Sequence, residues 1–349
     1  MTGLGEVHWR DLLVEFRDRF AVPALGAAVI TRAGALEAEV IGTRQRGGSV
    51  PAVVEDQWHI GSCAKAITAA LYARLVERGD TEWDVPIRTF FPDLADGLDA
   101  GWAAPTVDEV LVCRSGMSAN PSRAEMLNAW KDTSPLTAQR TAAVVSGLSR
   151  PPRSRGTFRY SNLGYIVVGA AIDRIAGMPF EDALHVHLLE PLGITSAGFG
   201  PPPAIWGHRP KLQIGGLTIG RGKPAEPGRS RSDNPAVMTP AGRLHFTLAD
   251  WATFQQIFLN PGHGLLEAAT VERLLALPPG KGRGMAMGWA SASSLSGASY
   301  GMQGSNTLWA ATALMDADLE RSAMVVTNDG RTRVLSRSAQ LAAAILRLR

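Results

Sequence analysis

Residues 56–79 read DQWHIGSCAKAITAALYARLVERG. After Lys65 the residues Ala66, Ile67, Ala70, Leu71, Arg74 and Leu75 continue a helical pattern, and Gly79 stands where left-handed backbone can end it. Ser62 therefore falls at the start of a predicted helix directly after Gly61, with Lys65 three positions later, so both side chains can face one way. The N–H groups of a first helical turn lack helical partners, and the local field favours negative charge, which suits a developing alkoxide or oxyanion. A lysine amine shielded from water there can accept the serine proton. The same residues also fit a plain helix cap with Lys65 in solvent, so Ser-x-x-Lys alone leaves both readings open.

A second polar cluster lies downstream in GTFRYSNLGYIVVGAAIDRIAG, residues 156–177, where Tyr160, Ser161 and Asn162 precede a long apolar helix. Tyr160 can be a core residue with a satisfied hydroxyl, and Ser161 or Asn162 can cap the helix. Placed at a junction between lobes, the three can instead point phenol, hydroxyl and amide into a cleft. There a phenol beside a lysine can shuttle a proton, and Asn162 can hold either the substrate or Lys65.

Leu12, Leu13, Phe16 and Phe20 predict an opening amphipathic helix that Pro23 stops; residues 24–34 and 35–42 read as an antiparallel hairpin turning near Gly34. From about 80 to 290 the pattern is helical, with segments at TVDEVLVC, AEMLNAW, AQRTAAVVSGL and FEDALHVHLLEPLG. Thr247 and Asp250 suggest a capping box for DWATFQQIFL. Pro and Gly are dense over 198–243, predicting loops and short strands. Strand patterns return at AMGWA, GSNTLWAATALMD and RSAMVVTND, before a terminal helix at SRSAQLAAAILRL. Strand material at both ends predicts one antiparallel sheet closed by the two termini and packed with terminal helices. The expected fold class is α+β: a single domain over 1–349, with residues 1–62 and 290–349 as an α/β lobe and 63–289 as a mostly helical lobe with loops. The cleft between them is the expected site.

With 45% hydrophobic residues in 349, the chain can bury a sizeable core, which excludes a disordered or fibrous protein. A net charge of +3 supplies no overall attraction for nucleic acid, and Arg209, Lys211, Arg221, Lys223, Arg229 and Arg231 lie in Gly- and Pro-rich sequence without aromatic interleaving, as a solvated loop would. The opening MTGLGEVHWRDLLVEF shows no cationic leader followed by a long apolar run, and no stretch reaches membrane-spanning length, so a cytoplasmic location without a membrane span is expected. Cys63 and Cys113 form no Cys-x-x-Cys pair, and His59, His185, His187, His208, His245 and His263 form no recognisable metal pattern; no metal or cofactor is expected.

Taken in order, Ser62-Cys63-Ala64-Lys65, Tyr160-Ser161-Asn162 and a glycine-containing strand near the C-terminus resemble the penicillin-recognising serine hydrolases. The similarity is to the branch of class C β-lactamases, D-alanyl-D-alanine carboxypeptidases and family VIII carboxylesterases. It extends through PTVDEVLVCRSGM, which resembles the family's Ser-Gly turn, and VHLLEPLGITSAGFG, which resembles its Pro-Leu-Gly segment. The resemblance implies a β-lactamase/transpeptidase-like fold, with Ser62 the acylated nucleophile, Lys65 its base or proton relay, Tyr160 a second member of the proton network, and Asn162 orienting substrate or Lys65. The family's Lys-Thr-Gly or His-x-Gly motif aligns with Met302-Gln303-Gly304, making these residues and Ser305 substrate contacts and the N–H groups of Ser62 and Ser305 the oxyanion hole.

Met302 departs from the pattern, having no charge where the family carries a lysine or histidine that helps receive a substrate carboxylate. Carboxylic esters are accordingly the expected substrates. A β-lactamase or D-amino-acid peptidase or amidase is the alternative, and a catalytically silent penicillin-binding-like scaffold a third. Gln303, pointed away by strand alternation, or an arginine from 209–231 would be the means of replacing the missing charge. Cys63 is turned about 100° from Ser62 on a helix and reads as a small buried residue. His245 reads as structural before catalytic, and Trp206 and Trp309 as either pocket walls or core.

Overall fold

The computed structural model describes residues 9–214, 217–229, 231–262, 264–279 and 284–348. Residues 1–8, which open the segment tested above for a leader, and His263 lie outside the described residues. Strands β1 (Ala24–Thr31) and β2 (Leu36–Gly42) form the expected hairpin. They join β3 (Ala290–Ser291), β4 (Tyr300–Ser305), β5 (Ala310–Met315) and β6 (Arg321–Thr327) in one antiparallel sheet of order β3-β4-β5-β6-β1-β2. The two ends of the chain meet where β1 pairs β6, with Ala27 opposite Val325.

Period-2 alternation gives this sheet two apolar faces. One carries Leu25, Val29 and Val325, which pack with Leu13, Phe16 and Phe20 of α1 (Trp9–Phe20) and Leu341 and Ile345 of α6 (Thr332–Arg347). The other faces the helical lobe, in a continuous core that includes Ala28, Ala311, Met324 and Val326. At the centre of that lobe α2 (Ala64–Glu77) buries nearly every residue to Leu75, so its sequence is apolar all round rather than striped. It lies near α4 (Asn162–Ala176), which Gly177 ends in left-handed backbone at φ 66°.

Three expectations change. AMGWA bends over 286–288 and enters a strand only at Ala290. GSNTLWAATALMD is not one strand: Thr307, at φ 72°, turns the chain between β4 and β5, so its Gly304–Ser305 end belongs to a different strand from AATALM. Thr247 does cap α5 (Leu248–Leu259), accepting from Asp250 N–H, but the Asp250 carboxylate accepts from Thr195 and Ser196 N–H instead of completing a box. Among the described residues no single helix is long and apolar enough to cross a membrane.

A buried ion cluster ties α3 (Leu136–Leu148) to α4. Arg140, fully buried, donates through Nε and Nη2 to both Asp173 oxygens, at 2.7 and 2.8 Å, and to Glu181 at 3.0 Å. Removing the guanidinium would leave two carboxylates without their shared partner. Arg140→Met is expected to lower unfolding free energy by about 3–5 kcal/mol in urea titration; a loss under about 1 kcal/mol would show that the cluster adds nothing the apolar core does not already supply.

Candidate active site

The turn that carries Ser62 forms where β4 runs against residues 60–63. Gly61 begins a 3₁₀ turn, Gly61–Cys63, which passes directly into α2. Gly61 has φ 53°, and a Cβ there would strike the Ser305 nitrogen. Across the contact, a Cβ on Gly304 would collide with the Ile60 carbonyl and lie 2.6 Å from the Ser62 nitrogen. Two facing glycines thus let the Ser62 and Ser305 backbones approach closely.

Lys65 is 1% exposed, and its Nζ lies 2.7 Å from Asn162 Oδ1, 2.6 Å from the Ala241 carbonyl and 3.2 Å from Ser62 Oγ. Asn162 is itself fixed by donating from Nδ2 to Asn120 Oδ1 at 2.7 Å. Of the open readings, Asn162 holds the lysine, while Ser161 is the cap: its Oγ accepts from Gly164 N–H and donates to the Ser118 carbonyl. The Tyr160 ring lies under the amine, with Nζ 4.8 Å from its centroid. No hydrogen bond joins its hydroxyl to Ser62 or Lys65 among the described residues.

Ser62 and Asn162 open on a cleft of about 710 Å³ whose wall also includes Ser305 and Trp130, while Lys65 and Tyr160 are not on that wall. Arg209 and Arg231 also stand on that wall; Arg209 donates to the Arg231 carbonyl at 2.7 Å, and the Arg231 guanidinium lies 5.3 Å from the Trp130 ring centre. Met302 is buried in the main core and is not part of the cleft wall. Gln303 points to the other face of the sheet, donating to Thr312 Oγ1 and the Leu335 carbonyl, so strand alternation removes its side chain from the substrate contacts expected above.

The side chains of the remaining conspicuous residues point away from Ser62 and Lys65 or lie off the cleft wall. Cys63 is fully buried with Sγ toward the Ala311 carbonyl at 3.9 Å, and burial pushes its thiol far up. Trp309 is core, donating to the Ile205 carbonyl, and Trp206 is not on the cleft wall. His245 is buried against Gly198 and faces the Gly200 carbonyl; burial lowers its pKa. Among the described residues no group of His, Cys, Asp and Glu could hold a metal ion. The sequence reading missed Asp233, Asn306, Asn120 and Trp130, which are far apart in the chain and carry no spacing signal.

A family model described as Beta-lactamase matches residues 9–346. Penicillin-binding protein 4 of Amycolatopsis lactamdurans is 26% identical over 255 residues, 73% of this chain and 64% of that protein, so the match spans under two-thirds of that relative. The octameric penicillin-binding protein homologue of Pyrococcus abyssi superimposes with a TM-score of 0.77 at 21% identity, covering 97% of this chain and 76% of that one. The D-amino acid amidase of Ochrobactrum anthropi SV3, complexed with D-phenylalanine, gives 0.76 at 18% identity, over 97% and 99%. These structures share the fold.

Proposed function

This chain belongs to the β-lactamase family of penicillin-recognising serine hydrolases, and from that membership we propose that it forms an acyl-enzyme on Ser62 and hydrolyses carboxylic esters. The observation that carries the reading is the Lys65 amine, buried and 3.2 Å from Ser62 Oγ. Asn162 Oδ1 and the Ala241 carbonyl take up two positions of Nζ at shorter distances, which leaves its third position toward the Ser62 hydroxyl. Lys65 takes that proton as Ser62 Oγ attacks a carbonyl whose oxygen accepts from Ser62 and Ser305 N–H. The protonated amine, facing the Tyr160 ring, returns the proton to the leaving alcohol; water then attacks the acyl-enzyme and frees the acid.

Two features support an ester. An alkoxide is a better leaving group than an amide anion, so ester cleavage needs less precise protonation, and here the phenol meets Lys65 through its ring. The residue aligned with the family's carboxylate-receiving cation is Met302, buried off the cleft wall. A second reading, an amidase or peptidase for carboxylate-bearing substrates, is favoured by Arg209 and Arg231, whose guanidiniums give the wall cations of its own. Purified protein offered a short-chain aryl ester, a chromogenic cephalosporin and a D-alanyl amide separates them. At least about tenfold higher kcat/KM on the ester, about 1.4 kcal/mol in transition-state binding, is expected. Rapid amide or lactam turnover without ester turnover would overturn the ester assignment.

A further inference from the structure

One buried carboxylate reaches both halves of the oxyanion hole. Asp233 Oδ2 lies 3.1 Å from His59 Nε2 and forms an ion pair with Arg243, whose Nε is 3.5 Å away. Asp233 Oδ1 accepts from Asn234 N–H at 2.6 Å and from Asn306 Nδ2 at 2.7 Å. On the first side, Gly61 N–H donates to His59 Nδ1 at 3.0 Å. That bond makes Nδ1 the acceptor, so Nε2 carries the proton and donates to Asp233. The imidazole is 1% exposed and stacks on Trp309, with ring centres 5.3 Å apart. On the second side, Asn306 Oδ1 accepts from Leu308 and Trp309 N–H, both at 3.1 Å, closing the turn after Ser305. Ser305 Oγ braces the same turn, accepting from Thr307 N–H and donating to the Trp309 carbonyl.

We propose that His59 and Asp233 are positioning residues that hold the Ser62 and Ser305 N–H groups in register for the oxyanion. The inference rests on the reading of Ser62 as the acylated residue. Each arm from Asp233 ends one residue from an oxyanion donor, at Gly61 on one side and Asn306 on the other, and among the described residues no hydrogen bond joins the side chain of His59 or Asp233 to Ser62 or Lys65. Burial alone would raise the Asp233 pKa, but His59, Arg243 and Asn306 together hold it below the usual carboxylate range, so the carboxylate stays ionised at neutral pH. Ionised, the carboxylate carries no proton of its own and accepts from the donors on both arms. An amide in its place must turn its NH₂ toward donors on one arm or the other.

The test compares His59→Phe, His59→Asn and Asp233→Asn as purified full-length chains shown to be folded by circular dichroism, with steady-state kinetics on the aryl ester and the affinity of a boronic acid that forms a tetrahedral adduct. Phenylalanine keeps the ring stack and loses both hydrogen bonds. It should lower kcat by about 10²-fold with KM within about threefold, because a misplaced donor is felt in the transition state and little in substrate binding. Boronate affinity should fall in step with kcat. Asparagine can accept from the N–H two residues on in an Asx-turn, and should recover about tenfold of the loss. Asp233→Asn should fall with His59→Phe. If kcat in His59→Phe stays within about threefold of wild type, or His59→Asn is as impaired as His59→Phe, the positioning role is overturned. Should Asp233→Asn fail to fold, the two His59 variants decide alone. Normal turnover in His59→Phe alongside an inert Ser62→Ala removes this inference only; an active Ser62→Ala removes the reading beneath it as well.

Discussion

Ser62→Ala is expected to leave a folded protein whose ester turnover has fallen by at least about 10⁴-fold, the scale seen when a nucleophile acting as part of a unit is deleted. The change removes one hydroxyl and adds nothing to a turn whose shape is set by Gly61 and Gly304. Lys65 keeps Asn162 Oδ1 and the Ala241 carbonyl as acceptors, so its buried amine is not stranded. Residual turnover would come from the backbone donors and binding alone. Progress curves on the aryl ester check this, and activity within about tenfold of wild type would place the nucleophile elsewhere.

Replacing Lys65 by methionine should cost about 10³-fold in kcat, in the range general acid–base catalysis supplies. Methionine approximates the length of the buried stem and has no proton to take or return. Unlike the serine change, this one also orphans acceptors: Asn162 Oδ1 and the Ala241 carbonyl both lose a short donor. Stability should therefore drop by about 1–3 kcal/mol, lowering the melting midpoint by several degrees. Kinetics taken well below that midpoint separate the two effects. A kcat within about fivefold of wild type would show that another group moves the proton.

What could be read from the chain follows its periodicities. The spaced apolar residues of α1, the long apolar runs of α2 and α4 with glycines at their ends, the Gly34 turn between β1 and β2, and the terminal segment of α6 predicted the sheet and its flanking helices before any contact was known. The strand break at Thr307 escaped notice because Ser-Asn-Thr-Leu-Trp is neither strongly alternating nor rich in Gly and Pro; the turn is made by Asn306 and Ser305 side chains bonding backbone two or three residues on. Local spacing placed Ser62 near Lys65, and order along the chain suggested Tyr160 and Asn162. The choice between Asn162 as substrate contact and as lysine holder needed the third dimension, since it turns on the 2.7 Å contact to Lys65 across 97 positions.

The aromatic and basic wall was the least legible part. Arg209 and Arg231 belong to a stretch that looks like an ordinary solvated loop, and both side chains are in fact exposed. Their relevance comes from facing the same cleft as Ser62, with Arg231 beside Trp130. His59 read as a lone histidine because its partner lies 174 positions away. Met302 illustrates the opposite case: the substitution is plain in the sequence, and the structure adds that its side chain is part of the core.

The most direct trial of the scheme is peptide mass mapping after exposure to a serine-reactive phosphonate. A single adduct on the hydroxyl carried between Gly61 and Cys63 is predicted, missing from the alanine variant at that position and formed far more slowly when Lys65 is methionine. An adduct elsewhere, or equal labelling with and without that hydroxyl, would contradict it.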